Sequence, residues 1–158
     1  MTKSIFRIGT ILVLGLAALQ TTVLAQDTNT IVGVWALNVN VTDCHGTFIR
    51  AVNSLQIFSR DGTFSETANT FLRGSSVGVW SPAGNQSYSA HYWFYRYQPT
   101  GAFASTAQAV NAIQLSPDGN HFTASGTIQD FNASNGLIST GCAMQSATRL
   151  AAPGMVPE

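Results

Sequence analysis

The sequence contains a single lysine, Lys3, and only 9% of its residues are charged. Beyond residue 25 the formal charges are five arginines (Arg50, Arg60, Arg73, Arg96 and Arg149) against seven acids, a balance of −2. Phosphate backbones and anionic membrane surfaces are gripped mainly by Lys and Arg, so both are poor partners for this chain. Catalytic signatures are missing as well. No His-x-His or His-Glu-x-x-His spacing, Gly-x-Ser-x-Gly elbow, phosphate loop or dinucleotide fingerprint occurs, and His91 and His121 stand alone. The expectation is therefore no metal, no cofactor and no recognisable catalytic residue. Helical spacing of apolar residues is also lacking after residue 25, which excludes a helix-rich fold.

Long apolar runs are confined to the start. Lys3 and Arg7 precede an apolar stretch from Ile8 to Leu19, and Val23-Leu24-Ala25 offers a small-residue cleavage site before Gln26. This is the pattern of a signal peptide over residues 1–25. A membrane anchor is the competing reading, but a span needs about 20 apolar residues and Gln20, Thr21 and Thr22 interrupt the run. No cysteine follows the cleavage site to carry a lipid. The expected setting is export, to a periplasm or the extracellular medium, without a membrane anchor.

Two cysteines, Cys44 and Cys142, would then meet an oxidising compartment, where a disulfide is the default. Closing a loop of 98 residues stabilises a fold by about 4–5 kcal/mol on the chain-entropy model. Two free thiols, or a metal pair completed by His45, are the alternatives.

What the sequence has in abundance is period-two alternation bounded by turn residues. Strands are expected over 31–41, 48–58, 63–71, 77–81, 87–98, 103–115, 121–131 and 137–149. Between them lie Asp43-Cys44-His45-Gly46, Arg60-Asp61-Gly62, Arg73-Gly74-Ser75, Pro82-Ala83-Gly84-Asn85, Pro99-Thr100-Gly101, Ser116-Pro117-Asp118-Gly119 and Asn132 to Gly136. Turns this short pair each strand with its neighbour. The organisation expected is a short linker over 26–30, one β domain over 31–150 and a tail over 151–158.

An eight-stranded meander escapes exposed edges by closing into an up-and-down barrel. Closure requires antiparallel pairing of the first and last strands, with paired residue numbers adding to a near constant. Cys44 with Cys142 adds to 186 and Trp35 with Arg149 to 184, so one register accommodates both.

Gly33-Val34-Trp35 opening the first strand, with Arg149 closing the last, resembles the lipocalin and wider calycin pattern. That resemblance implies that Trp35 packs across the barrel floor beneath Arg149 in a cation–π contact. The family's Thr-Asp-Tyr loop motif and its C-terminal helix are not visible. Gly78-Val79-Trp80, Tyr95-Arg96-Tyr97, Asp61-Gly62-Thr63 with Ser65-Glu66, and Thr140-Gly141-Cys142 with Thr148-Arg149 also resemble a group of small exported bacterial proteins without an assigned activity.

Glu66 shares a strand face with Phe64 and Ala68. Facing inward, it would be a carboxylate in an apolar cavity, able to bind a cationic or hydroxylated ligand or to act as an acid. Facing outward, it would be solvated or paired with Arg50 or Arg96. The run Tyr92-Trp93-Phe94-Tyr95-Arg96-Tyr97 sends Tyr92, Phe94 and Arg96 to one side and His91, Trp93, Tyr95 and Tyr97 to the other. One side lines the barrel. The other is either covered or presents aromatics for homo-oligomer or partner contact.

Three functional readings result. The first is a non-enzymatic barrel binding a small, largely apolar ligand, anchored by Glu66, Tyr92, Phe94 and Arg96. The second is an interaction module with a filled core and an aromatic outer face. The third is a small isomerase or cyclase using Glu66 and a tyrosine.

Overall fold

The computed structural model describes residues 29–151; the expected signal peptide, most of the linker and all but the first residue of the tail lie outside them. The described residues form eight strands and no helix: β1 (Gly33–Thr42), β2 (Phe48–Phe58), β3 (Thr63–Ala68), β4 (Ser76–Gly84), β5 (Ser87–Tyr97), β6 (Phe103–Leu115), β7 (His121–Phe131) and β8 (Leu137–Arg149). Each pairs antiparallel with its neighbour and β8 returns to β1, closing an up-and-down barrel. The β1–β8 ladder runs from Trp35↔Arg149 to Thr42↔Cys142, so the expected register holds throughout. Cys44 lies two residues past Cys142's ladder partner, with φ at 67°, and its sulfur reaches back to form the disulfide across a Cα–Cα distance of 4.8 Å. Both sulfurs are thereby consumed, which excludes the free-thiol and metal-pair alternatives.

Alternation sorts the side chains. Trp35, Leu37, Val39 and Val41 of β1 point inward, as do Phe64 and Glu66 of β3 and Tyr88, Ala90, Tyr92 and Phe94 of β5. The end of the barrel where β1 begins is packed solid. Trp35 lies 4.8 Å from Phe122 between ring centroids, and Phe58 makes edge contacts with Phe64, Trp80 and Phe122. Burying each such ring is worth about 1.5–3 kcal/mol. Trp35 donates its indole N–H to the carbonyl of buried Ile31 at 2.9 Å. Arg149 sets its guanidinium 4.2 Å from the Trp35 ring and donates to the carbonyls of Gly119, Val32 and Thr30. The floor contact implied by the lipocalin resemblance is therefore present.

Two inward positions carry glycine because the neighbouring strand passes too close for a side chain. A Cβ on Gly126 would sit 2.1 Å from the Asn111 side-chain oxygen and 2.2 Å from the Val110 carbonyl. One on Gly78 would meet the His91 carbonyl at 2.2 Å. Glycine kinks of this kind let a sheet coil tightly enough to close.

Two expected boundaries move by three residues, and the others by two or fewer. The third strand stops at Ala68 rather than residue 71, because the chain then crosses the open end and pairs with the tip of β5. Tyr97 donates its N–H to the Leu72 carbonyl at 2.8 Å, Gly74 donates to Tyr95 at 2.9 Å, and Arg73 bridges to Arg96. These pairings satisfy ladder groups on β5 that reach beyond the start of β4. The expected turn at Pro82–Asn85 is largely strand instead. Pro82 pairs with Tyr88 next to a bulge before Gly84, where a missing N–H is tolerated, and Gln86 turns the chain with φ at 54°.

Candidate functional site

Above the aromatic floor the interior becomes polar. Gln56, Glu66, Ser76, Asn111 and Gln145 are all buried at mid-height. Glu66 on β3 faces inward and its side chain is 1% exposed, which excludes the solvated outward alternative. Its cation is Arg73, at 2.5 Å, rather than the expected Arg50 or Arg96. The carboxylate also accepts from Ser76 at 2.9 Å and from Gln56 at 3.3 Å, and Gln56 donates in turn to Gln145 at 3.4 Å. Arg73 contacts Ser76 as well. All of these donors hold Glu66 as an acceptor, so its carboxyl oxygens are fixed in position.

Tyr92 stands beside this cluster and accepts a hydrogen bond from Asn111 at 3.1 Å. Burial, and secondarily the negative charge of Glu66, push its phenol well above the usual tyrosine range, so it stays neutral. Phe94 is one residue pair nearer the mouth. The Arg73 guanidinium lies 3.7 Å from its ring centroid and that of Arg96 lies 5.0 Å away, so one ring receives two cations.

Arg96 is paired with Asp130 at 2.6 Å, and Asp130 accepts further from Ser105 at 3.1 Å and Ser139 at 3.2 Å. Arg50, on the inward phase of β2, makes no ion pair among the described residues. Its pKa is lowered by burial first and by the Arg96 charge second, while Asp130 opposes the shift.

These groups surround a cavity of about 430 Å³ that opens at the disulfide end of the barrel. Its apolar wall includes Val39, Val41, Val52, Leu72 and Ile128, and its polar wall includes Arg50, Arg73, Arg96, Glu66, Tyr92 and Gln145. Glu66, Tyr92, Phe94 and Arg96 therefore share one chamber. Trp35 and Arg149 belong to the floor, on the far side of the aromatic packing. A shallow groove of about 680 Å³ crosses the outside of β1, β2, β3, β7 and β8, but its one titratable side chain is His121. Among the described residues no group of three or more His, Cys, Asp or Glu side chains could hold a metal ion.

Arg73 and Gln145 in the chamber wall, and Gln56 bonded behind them, were not singled out from the sequence, and Arg50 was named there only as a possible partner of Glu66. For Arg50 and Gln56 a signal exists, since both lie at even steps from Phe58 and alternation carries the inward phase along β2. Arg73 carries no such signal, because it sits in a loop whose position depends on the β5 tip.

The second side of the aromatic run is open. Trp93 is 38% exposed and Tyr95 56%, with Val77 and Val79 of β4 beside them. His91 packs against Trp93 with ring centroids 4.3 Å apart and hydrogen-bonds to Gln108.

No protein-family model, curated protein or solved structure matches this chain. The eight-stranded barrel, its disulfide and the chamber at its mouth are the facts on which a functional reading has to stand.

Proposed function

We propose that this protein is an exported, lipocalin-like barrel that binds a small, largely apolar molecule in its mouth chamber without catalysing a reaction. The observation that carries the reading is the unequal filling of the interior. One half is packed with aromatic rings; the other leaves about 430 Å³ bounded by aliphatic side chains and a few fixed polar groups. That volume lies within the range of small-molecule sites, and a concave apolar chamber with converging polar groups is the usual form of one. The disulfide agrees with an oxidising destination.

Titration calorimetry with octan-1-ol tests the chamber. The mature protein is expected to bind one equivalent, and Ile128→Trp, which fills the space from the apolar wall, is expected to abolish binding while leaving the circular dichroism of the barrel unchanged. Octanol binding that survives Ile128→Trp would place the site elsewhere and refute the reading.

A second reading, self-association of two copies through the outer face of β4 and β5, is favoured by the exposure of Val77, Val79, Trp93 and Tyr95. Light scattering of the mature protein and of Trp93→Ser distinguishes it: a dimer dispersed by the substitution supports it, and a monomer at millimolar concentration refutes it.

A further inference from the structure

Resting on the chamber reading, we infer that the occupant is a compact organic monoanion, a small acid with an apolar body, whose charged group sits against Arg50, Arg73 and Arg96.

The charge count around the chamber motivates this. Three guanidiniums line it with two carboxylate partners, Glu66 and Asp130, among the described residues. Arg73 is paired with Glu66 and Arg96 with Asp130. Arg50 has neither ion pair nor hydrogen bond among those residues, although it lines the chamber and is near enough to Arg96 and Asp130 to feel their charges. Arg73 keeps one more donor in reserve: its buried Nε has no hydrogen-bond partner. A buried donor left unmade costs free energy that an arriving acceptor recovers. One negative charge placed here would neutralise the surplus cation and satisfy the spare donor together.

Position within the chamber sets the orientation. Arg50 and Arg96 also line a smaller recess of about 260 Å³ at the rim, with Val41, Ile128 and Asp130, whose carboxylate is already taken up by Arg96, Ser105 and Ser139. Arg50 is exposed, and the Arg96 side chain is 19% exposed against 12% for Arg73, so Arg50 and Arg96 are the two cations nearest solvent. Glu66 lies deeper, beside Tyr92 and Gln145, and would repel an anion that entered head first. The charged group therefore stays near the mouth and the apolar body points inward between Val39, Val52 and Ile128. Size limits the body: about 430 Å³ is the liquid volume of roughly fourteen waters at ~30 Å³ each, room for about a dozen non-hydrogen atoms. A long-chain lipid would not fit.

The test compares octanoate, octan-1-ol and octylammonium on the mature protein by calorimetry at low and moderate salt. Octanoate is expected to bind about tenfold more tightly than octanol, with octylammonium weakest, and the advantage is expected to shrink as salt rises. Arg50→Gln, a change at an exposed strand end, is expected to erase the octanoate advantage over octanol. Arg50→Lys is expected to retain most of the advantage. Octanol binding as tightly as octanoate, or octylammonium binding best, would overturn the charge assignment while leaving the chamber reading intact. Binding by none of the three probes would overturn both.

Discussion

Glu66→Gln is expected to destabilise the barrel severely although it changes one oxygen for a nitrogen. The Glu66 side chain is 1% exposed and that of Arg73 12%, with 2.5 Å between the charged atoms. Neutralising the acid leaves a guanidinium in a chamber where its Nε already lacks an acceptor. Removing one partner of a buried pair costs about 3–5 kcal/mol, because the survivor keeps its desolvation penalty without its compensation. For a barrel of this length, between the sizes for which calorimetric scaling is usually quoted, about 4 °C is lost per kcal/mol, giving a fall of roughly 12–20 °C. The double variant Glu66→Leu with Arg73→Met removes both charges and is expected to lie within about 1 kcal/mol of the parent. Urea denaturation followed by circular dichroism measures all three proteins and the single variants Glu66→Leu and Arg73→Met, which complete a double-mutant cycle. A Glu66→Gln loss under 1 kcal/mol, or losses that simply add in the double variant, would refute the reasoning. Arg73 would then be free to swing out of the mouth, and the chamber would not be organised before its ligand arrives.

Two further outcomes follow from the same contacts. Reducing the disulfide, or replacing Cys44 and Cys142 together with serine, releases a closure of 98 residues and is expected to cost about 4–5 kcal/mol by urea denaturation; a loss under 1 kcal/mol would refute the chain-entropy account. Burial raises the Tyr92 pKa above its ordinary value, so the native state favours the neutral phenol: that contribution is intact below about pH 10 and disappears as pH rises beyond it. Alkaline unfolding followed at 295 nm is expected to begin at higher pH in Tyr92→Phe, from a lower neutral-pH stability because Asn111 loses its acceptor, and an unchanged alkaline midpoint would refute the assignment.

Strand order, closure and the first-to-last register were legible in the sequence because each depends on local signals. Period-two alternation marks strands, Asp-Gly and Pro-x-Gly turns force neighbours to pair, and Trp35 and Arg149 pin the ladder. The chamber was legible only in part. Alternation assigns Tyr92, Phe94 and Arg96 to one side of β5 but cannot say which side faces in, since both are aromatic. The choice is made by Gly78, the ladder partner of Tyr92: any side chain there would strike β5. Arg73 was illegible for a different reason. Its loop is shaped by ladder groups on Tyr95 and Tyr97, more than twenty residues away in sequence, and no local pattern records that pairing.

The distribution of charge within the barrel argues that its two halves answer different demands. In the floor half, stability is enough to explain what is there: rings fill the space, and the guanidinium of Arg149 donates to the carbonyls of Gly119, Val32 and Thr30. In the mouth half stability explains much less. Well-packed apolar side chains of similar volume stabilise a fold as well as buried ion pairs do, and often better. Yet Glu66, Arg73 and Arg96 line the mouth chamber, and Asp130, the partner of Arg96, lines the recess at its rim. Fixed ion pairs around a cavity hold donors in place before anything binds, which lowers the ordering cost of binding. If that is their purpose, the apolar double variant at Glu66 and Arg73 will fold as well as the parent and lose selectivity for octanoate over octanol. Retained selectivity in that variant would show that Arg50 and Arg96 suffice and that the inner pair serves the fold alone.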